Sequence, residues 1–596
     1  VLFQNLMAVD NRFADPWGPL NNDFSNVYCS YDKDRLASVF EDSHADIRKK
    51  YQDLIINIPI RNGTKRAFKI LKTSVMHPNL NSKYPSIRSY IGVGLINPSE
   101  RASIVFHDAG LFGLVISDIG HSYLRDDGQD RILISGSDYS SGREANCGLV
   151  DQVEYLRNDP YNNTFPSYVG NNQALYPVGE TLTTYRFAGA LTEQANNQVA
   201  DGTVEGGLAW IVAMVNQINL LWVRDLSFQL QLIENNDLII FTDSNPAPDD
   251  FKQVVPNDLC SNPDPMYCEL QFVKPFLVEK IGPGGVNTPL EERLWEYGAL
   301  FDTGYGGGLA YAPGATCVNL PSYEVFNHEL GHNLGSMHNI VSENGWRCSL
   351  GGTIMGSRSR TISGSGDQYS SHTIEVGMFH RNNSNDYRAG FTVEETGSNI
   401  PSVIVPEDGF VIPKDTPFVI EGSSDPISDE YTFSWEQNDT SSVQFSMDPS
   451  DVSLPHFPPN TGPLFCTLDP NPNGNKRVFP AMESLLENNY QSNEGDYVVE
   501  KLPFGSREIN MRLIVRTNDP YSGSLNHKSV KMVVAGSAGP FRVTSQLDST
   551  DWSVGSEQTI SWDVANTDDP DSVNCQFVDI LISLDGSKIF DFILAD

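Results

Sequence analysis

The apolar positions change rhythm along the chain. Up to about residue 175, runs such as "DLIINIPI", "ASIVFHDAGLFGLVISD" and "DRILISG" alternate between Gly, Asn, Asp and Pro turns. Their short length and turn-bounded pattern predict a mostly β domain over residues 1–175. Residues 157–180, "RNDPYNNTFPSYVGNNQALYPVGE", have the composition of a linker. The pattern then lengthens. "TVEGGLAWIVAMVNQINLLWVRDL" predicts a helix over 203–226, with Thr203 and Glu205 near its start. "SFQLQLIE" and "DLIIFTD" predict two strands, "LEERLWEYGALFDT" a second helix, "GGGLAYAPG" a short strand and "SYEVFNHELGHNLGSMH" a third helix. This alternation predicts an α/β domain over residues 176–397.

From residue 398 the texture is β again, in "PFVIEGS", "YTFSWEQ", "INMRLIVRT", "KSVKMVVAG" and "QTISWDVA". Two Ig-like β-sandwich modules are expected, at 398–537 and 538–596. The second, with about sixty residues, is short for such a module and is expected to be truncated. Trp435 and Trp562 are expected in the sandwich cores.

Composition narrows the function classes. With 596 residues, 39% hydrophobic, the chain can fill several cores. It carries 76 acidic and 40 basic residues, net −36, which disfavours nucleic acid and anionic lipid as partners. The same acidity suits a salty or calcium-containing medium, so Ca2+ is a candidate second ion. No run of 18 apolar residues predicts a membrane span. The opening "VLFQNLMAVD" lacks the basic start and apolar stretch of a secretory leader. Eight cysteines without a CxxC, and sequons at Asn62, Asn162, Asn382 and Asn438, lean toward an oxidising, extracellular setting. "DPNPNG" opens like a calcium loop, but Pro480 stands at its twelfth position, so a turn is expected.

The candidate chemistry lies in "FNHELGHNLGSMHNI", residues 326–340. His328 and His332 are four apart and share one helix face. Both imidazoles can reach one cation, with Glu329 beside them as general base. Gly335 should end the helix in the left-handed conformation, returning the chain so that His338 becomes a third ligand. Three imidazoles leave one tetrahedral position for water, the pattern of a catalytic zinc.

"HELGHNLGSMH" resembles the signature of the metzincin zinc metallopeptidases. "GGTIMGS" resembles their methionine turn, with Met355 as an apolar floor beneath the metal. "GGGLAYAPGATC" and "QYSSHTIE" are similar to the edge strand and last helix of the adamalysin–reprolysin branch. That branch usually carries Asp after the third histidine; here the residue is Asn339. The flanking regions look more like secreted bacterial reprolysin-like proteases. The resemblance implies a secreted zinc endopeptidase whose protein or peptide substrate pairs with Gly308, Leu309, Ala310 and Tyr311. It also implies that "EANCGLV" is a cysteine switch, with Cys147 capping the zinc of a latent pro-form; a disulfide with Cys29 is the competing reading. A different function class, an extracellular adhesion protein with an inert protease-like domain, stays open. In either case the C-terminal modules are candidate binders of matrix or polysaccharide.

Overall fold

The computed structural model describes residues 13–14, 17–23, 26–31, 33–41, 54–108, 110–128, 131–136, 146–147, 177–248, 265–285, 288–289, 291–302, 307–311, 315–318, 322–336, 352–355, 366–382, 391–439, 464–486, 500–548, 551–583, 590 and 592–595. Strand outweighs helix, in several sheets, as in a multidomain protein. The first sheet is an antiparallel meander through Leu54–Pro59, Lys65–Thr73, Arg88–Gly94, Arg101–His107, Gly110–Ser117, Gly120–Asp126 and Arg131–Ser135. Asn26–Tyr31 and Trp17–Asp23 extend it at one edge, and Phe13–Ala14 at the other.

The second sheet is seven-stranded. Thr181–Leu191 lies parallel to both Phe228–Leu232 and Tyr297–Phe301, and Ala315–Val318 continues the parallel run. Gly307–Tyr311 then runs antiparallel to Ala315–Val318. Helix α1 (Val204–Leu226) packs between this sheet and the first. Its start is capped by Thr203, whose hydroxyl accepts the Gly206 N–H at 2.9 Å. It is apolar on nearly all sides because both neighbours cover it. Among the described residues α1 alone is long and apolar enough to cross a membrane, but 94% of its most apolar window is buried. Asn216 pins it to the first sheet, donating to Tyr90 O and Ser103 Oγ at 2.8 Å each.

One continuous core therefore joins Leu71, Ile91 and Leu114 of the first sheet, Ile211 and Met214 of α1, and Phe326 and Leu330 of the motif helix. It also takes in Ile514 and Leu525 from the β layer beyond residue 400. That layer is built on Arg507–Arg516 between Thr432–Gln437 and Leu525–Ala535.

Three expectations are corrected. The helix expected over 290–303 is absent from its described part, 291–302: Tyr297–Phe301 is a central strand with every residue buried. A five-residue apolar run fits either element, and parallel pairing on both sides decided for strand. Residues 237–243 are not a strand: a 3-10 turn spans Asn236–Ile239, and Ile240 makes only a single bridge to Leu191. Asn236 explains this, because its side-chain amide replaces a strand partner, bonding Gly189 N at 2.8 Å and Gly189 O at 3.0 Å. Trp562 is 37% exposed on a two-residue strand, whereas Trp435 is 1% exposed in its core as expected. A helix over Pro265–Ile281 and the strand Thr181–Leu191 carried no prediction. The expected turn after Asp469 is present, closed by Gly474 N on Asn471 O at 3.1 Å.

Candidate metal centre

The motif helix, α2 (Tyr323–Asn333), starts at Ser322, whose hydroxyl accepts the Val325 N–H at 3.3 Å. Phe326 and Leu330 anchor it in the core. It stops where expected: Gly335 has φ +96°, and its N–H meets His332 O at 2.9 Å. The Ser336 N–H bonds Gly331 O at 3.1 Å.

Between these ends the four-residue spacing brings His328 and His332 together. Their Nε2 atoms lie 3.2 Å apart, with the rings at 86°. His328 Nδ1 is 2.8 Å from Ile354 O, and His332 Nδ1 is 2.8 Å from Ser336 O. A carbonyl only accepts, so each Nδ1 carries the proton and donates. In the neutral ring this leaves each Nε2 with a lone pair. Two lone pairs facing each other repel unless a proton or a cation lies between them. Two nitrogens bound tetrahedrally at ~2.0–2.1 Å from zinc stand roughly 3.3 Å apart, so the pair fits that ion. Carbonyl contacts of this kind on Nδ1 are what orients the rings of metal-ligating histidines in general. Glu329, next along the helix, is fully buried.

Met355 is fully buried beneath the helix. A Cβ added to Gly331 would fall 2.1 Å from Met355 Sδ, so only glycine lets the methionine approach. Ile354 O holds His328 and the neighbouring Met355 packs on Gly331, so residues 352–355 act on the pair twice. Gly331 was not singled out from sequence. Its signal was a glycine inside a helix, a costly position without a packing reason. Helix α3 (Ser371–Asn382) supports the far side, with Thr373 Oγ1 2.9 Å from Ser336 Oγ.

The remaining candidates are placed in part. His338 and Asn339 lie outside the described residues, and no group of three or more ligating side chains stands together among the described ones. Gly308, Leu309, Ala310 and Tyr311 are in the strand Gly307–Tyr311. On its outer side that strand pairs in parallel with Asn146–Cys147, in register Asn146↔Gly307 and Cys147↔Gly308. The backbone at Cys147 thus occupies the edge expected to take substrate. Cys29 is a buried thiol whose Sγ donates to Ser30 O at 3.4 Å, so the Cys29–Cys147 disulfide is not formed. Cys29 sits in a core cluster of the first sheet with Trp17, Val27 and Tyr31.

A second group of buried charges braces α2. Asp225, at the end of α1, receives Arg224 Nε at 2.7 Å, Arg516 Nε at 2.8 Å and the Tyr369 N–H at 2.8 Å. Tyr369 donates from its hydroxyl to Asn327 Oδ1 at 2.5 Å, one residue before His328. Burial pushes the Asp225 carboxyl up, but Arg224 and Arg516 outweigh it and hold the group at about 2.

Compared with known proteins, the chain matches no family model and no curated protein.

Proposed function

We propose that the protein is a secreted zinc-dependent endopeptidase, of metzincin type, held latent by its N-terminal region. One observation carries the reading: two Nε2 lone pairs converge on one point, each oriented by a carbonyl on Nδ1, beside a buried carboxylate. His328 and His332 would hold the ion, with His338 as the third ligand implied by the motif. When bound, zinc supplies Lewis acidity and brings the pKa of its water toward ~7.

The chain's own residues do the rest. Glu329 takes the proton of the attacking water and returns it to the leaving amine. Gly308 to Tyr311 offer backbone groups to an extended peptide, which binds as an added strand. Met355 keeps the underside of the pair dry and rigid. Latency is supported by the Asn146–Cys147 strand, which takes up that same edge. The Cys147 thiolate is the expected plug on the ion. Secretion is supported by sequon residues Asn62 and Asn382, both exposed. The β layers after residue 398 are read as sandwich modules that carry or extend the catalytic unit.

The test is casein hydrolysis by the intact and the trypsin-trimmed chain, with and without a zinc chelator. Activity is expected after trimming, abolished by chelation. Glu329→Ala should lose roughly 10²–10⁴-fold while still retaining zinc by atomic absorption. Unchanged hydrolysis in Glu329→Ala would overturn the reading.

A further inference from the structure

His121 lies on the first-sheet strand Gly120–Asp126 and is 8% exposed. Its Nδ1 is 2.7 Å from Glu324 Oε1, and its Nε2 is 2.6 Å from Asp367 Oδ2. Carboxylates only accept, and a neutral imidazole has one N–H, so satisfying both contacts calls for both ring nitrogens protonated. Glu324 is in the first turn of α2, one turn before His328. Asp367 lies just ahead of α3, after the Met355 segment. A single ring from the first sheet therefore bridges two elements that frame the metal centre.

We propose that the His121 imidazolium is an ionic latch fastening the N-terminal sheet to the motif helix, so that rising pH loosens the sheet's grip. The regulatory consequence, easier activation of a cleaved pro-form at alkaline pH, rests on the latent-protease reading; the latch itself does not.

Among the described residues, the groups facing the ring come from three elements, and the Tyr123 hydroxyl is 3.4 Å from Nδ1. Its own strand supplies Tyr123, edge-on at 5.7 Å. Helix α2 supplies Glu324 and Tyr323, the latter edge-on at 5.8 Å and pushed well up by burial. The segment before α3 supplies Asp367, whose backbone carbonyl accepts from Arg224 of α1 at 2.7 Å. Burial pulls His121 down, but Asp367 and then Glu324 raise it to about 10, against an ordinary 6.5. A raised value places the full contribution below pH 6.5 and loses it as pH climbs through about 10. Between those limits docking should weaken about tenfold per pH unit.

The experiment needs neither zinc nor hydrolysis. The full chain, with a specific protease site inserted in the 157–176 linker, is cut, and separation of the N-terminal fragment is measured from pH 6 to 10 in mild urea. Wild type should show the tenfold-per-unit slope; His121→Gln and Glu324→Gln should bind more weakly with a flatter slope. A flat wild-type profile, or a full slope in His121→Gln, overturns the latch. If the fragment never separates, the His121 ring is followed by NMR in the intact chain. Protonation retained through pH 8 supports the latch, and a midpoint near 6.5 overturns it. Loss of zinc binding with the slope intact would sink the protease reading alone.

Discussion

The His328–His332 pair and the Asp225 cluster are both withdrawn from water and differ in how their charge is closed. Asp225 faces two guanidinium groups and a backbone N–H, all from this chain. The histidine pair presents two ring nitrogens to each other at 3.2 Å, an arrangement that suits a shared cation. A balanced buried cluster holds elements together. A cluster of ring nitrogens turned toward one another is instead a candidate for binding. The two are also linked, since Tyr369 touches Asp225 with its N–H and Asn327 with its hydroxyl.

Breaking the balanced side should have the larger effect on stability. Arg516→Met leaves Asp225 buried with one guanidinium fewer and should cost about 3–5 kcal/mol, read from the urea midpoint. A change below ~1 kcal/mol would mean that the cluster is not a brace. Next comes the packing that shapes the histidine pair. Gly331→Ala drives a methyl into Met355 and should cost about 1–3 kcal/mol. It should also weaken zinc binding in isothermal titration, whereas an Ala variant with native affinity would detach Met355 from the metal site. The smallest effect is the acid limb. The Asp225 carboxyl is depressed, so its contribution is complete above the ordinary carboxylate value of 3.8 and lost as pH falls toward about 2. Denaturation followed from pH 5 to 2 should show this step in wild type and a smaller one in Arg516→Met.

What the sequence revealed and concealed divides along the same line. The histidine pair was legible because a four-residue spacing on a helix is a local fact, and the cap at Gly335 followed from one residue's backbone freedom. The Asp225 cluster was not, because Arg516 reaches it across 291 positions of chain. His121 was hidden likewise: its partners lie 203 and 246 residues away. Turn-bounded apolar runs located the first sheet's strands, whether buried and half-buried positions alternate, as in Arg131–Ser135, or nearly every position is buried, as in Gly110–Ser117. The run failed as a guide at Tyr297–Phe301, a wholly buried strand that no turn residue separates from the polar stretch ahead of it. The nearly matching "TFSWEQ" and "TISWDV" show the limit most plainly, because Trp435 is buried in its core and Trp562 is partly exposed.

Helix α1 has a consequence for how such a molecule can be made. Two sheets lean on it from opposite sides, and Asn216 is satisfied only when Tyr90, Ser103 and Thr73 are in place. A chain synthesised without its first 147 residues would show water a greasy flank along most of that helix. The N-terminal sheet would then serve as the mould against which the remainder sets, needed during biogenesis even if discarded afterwards.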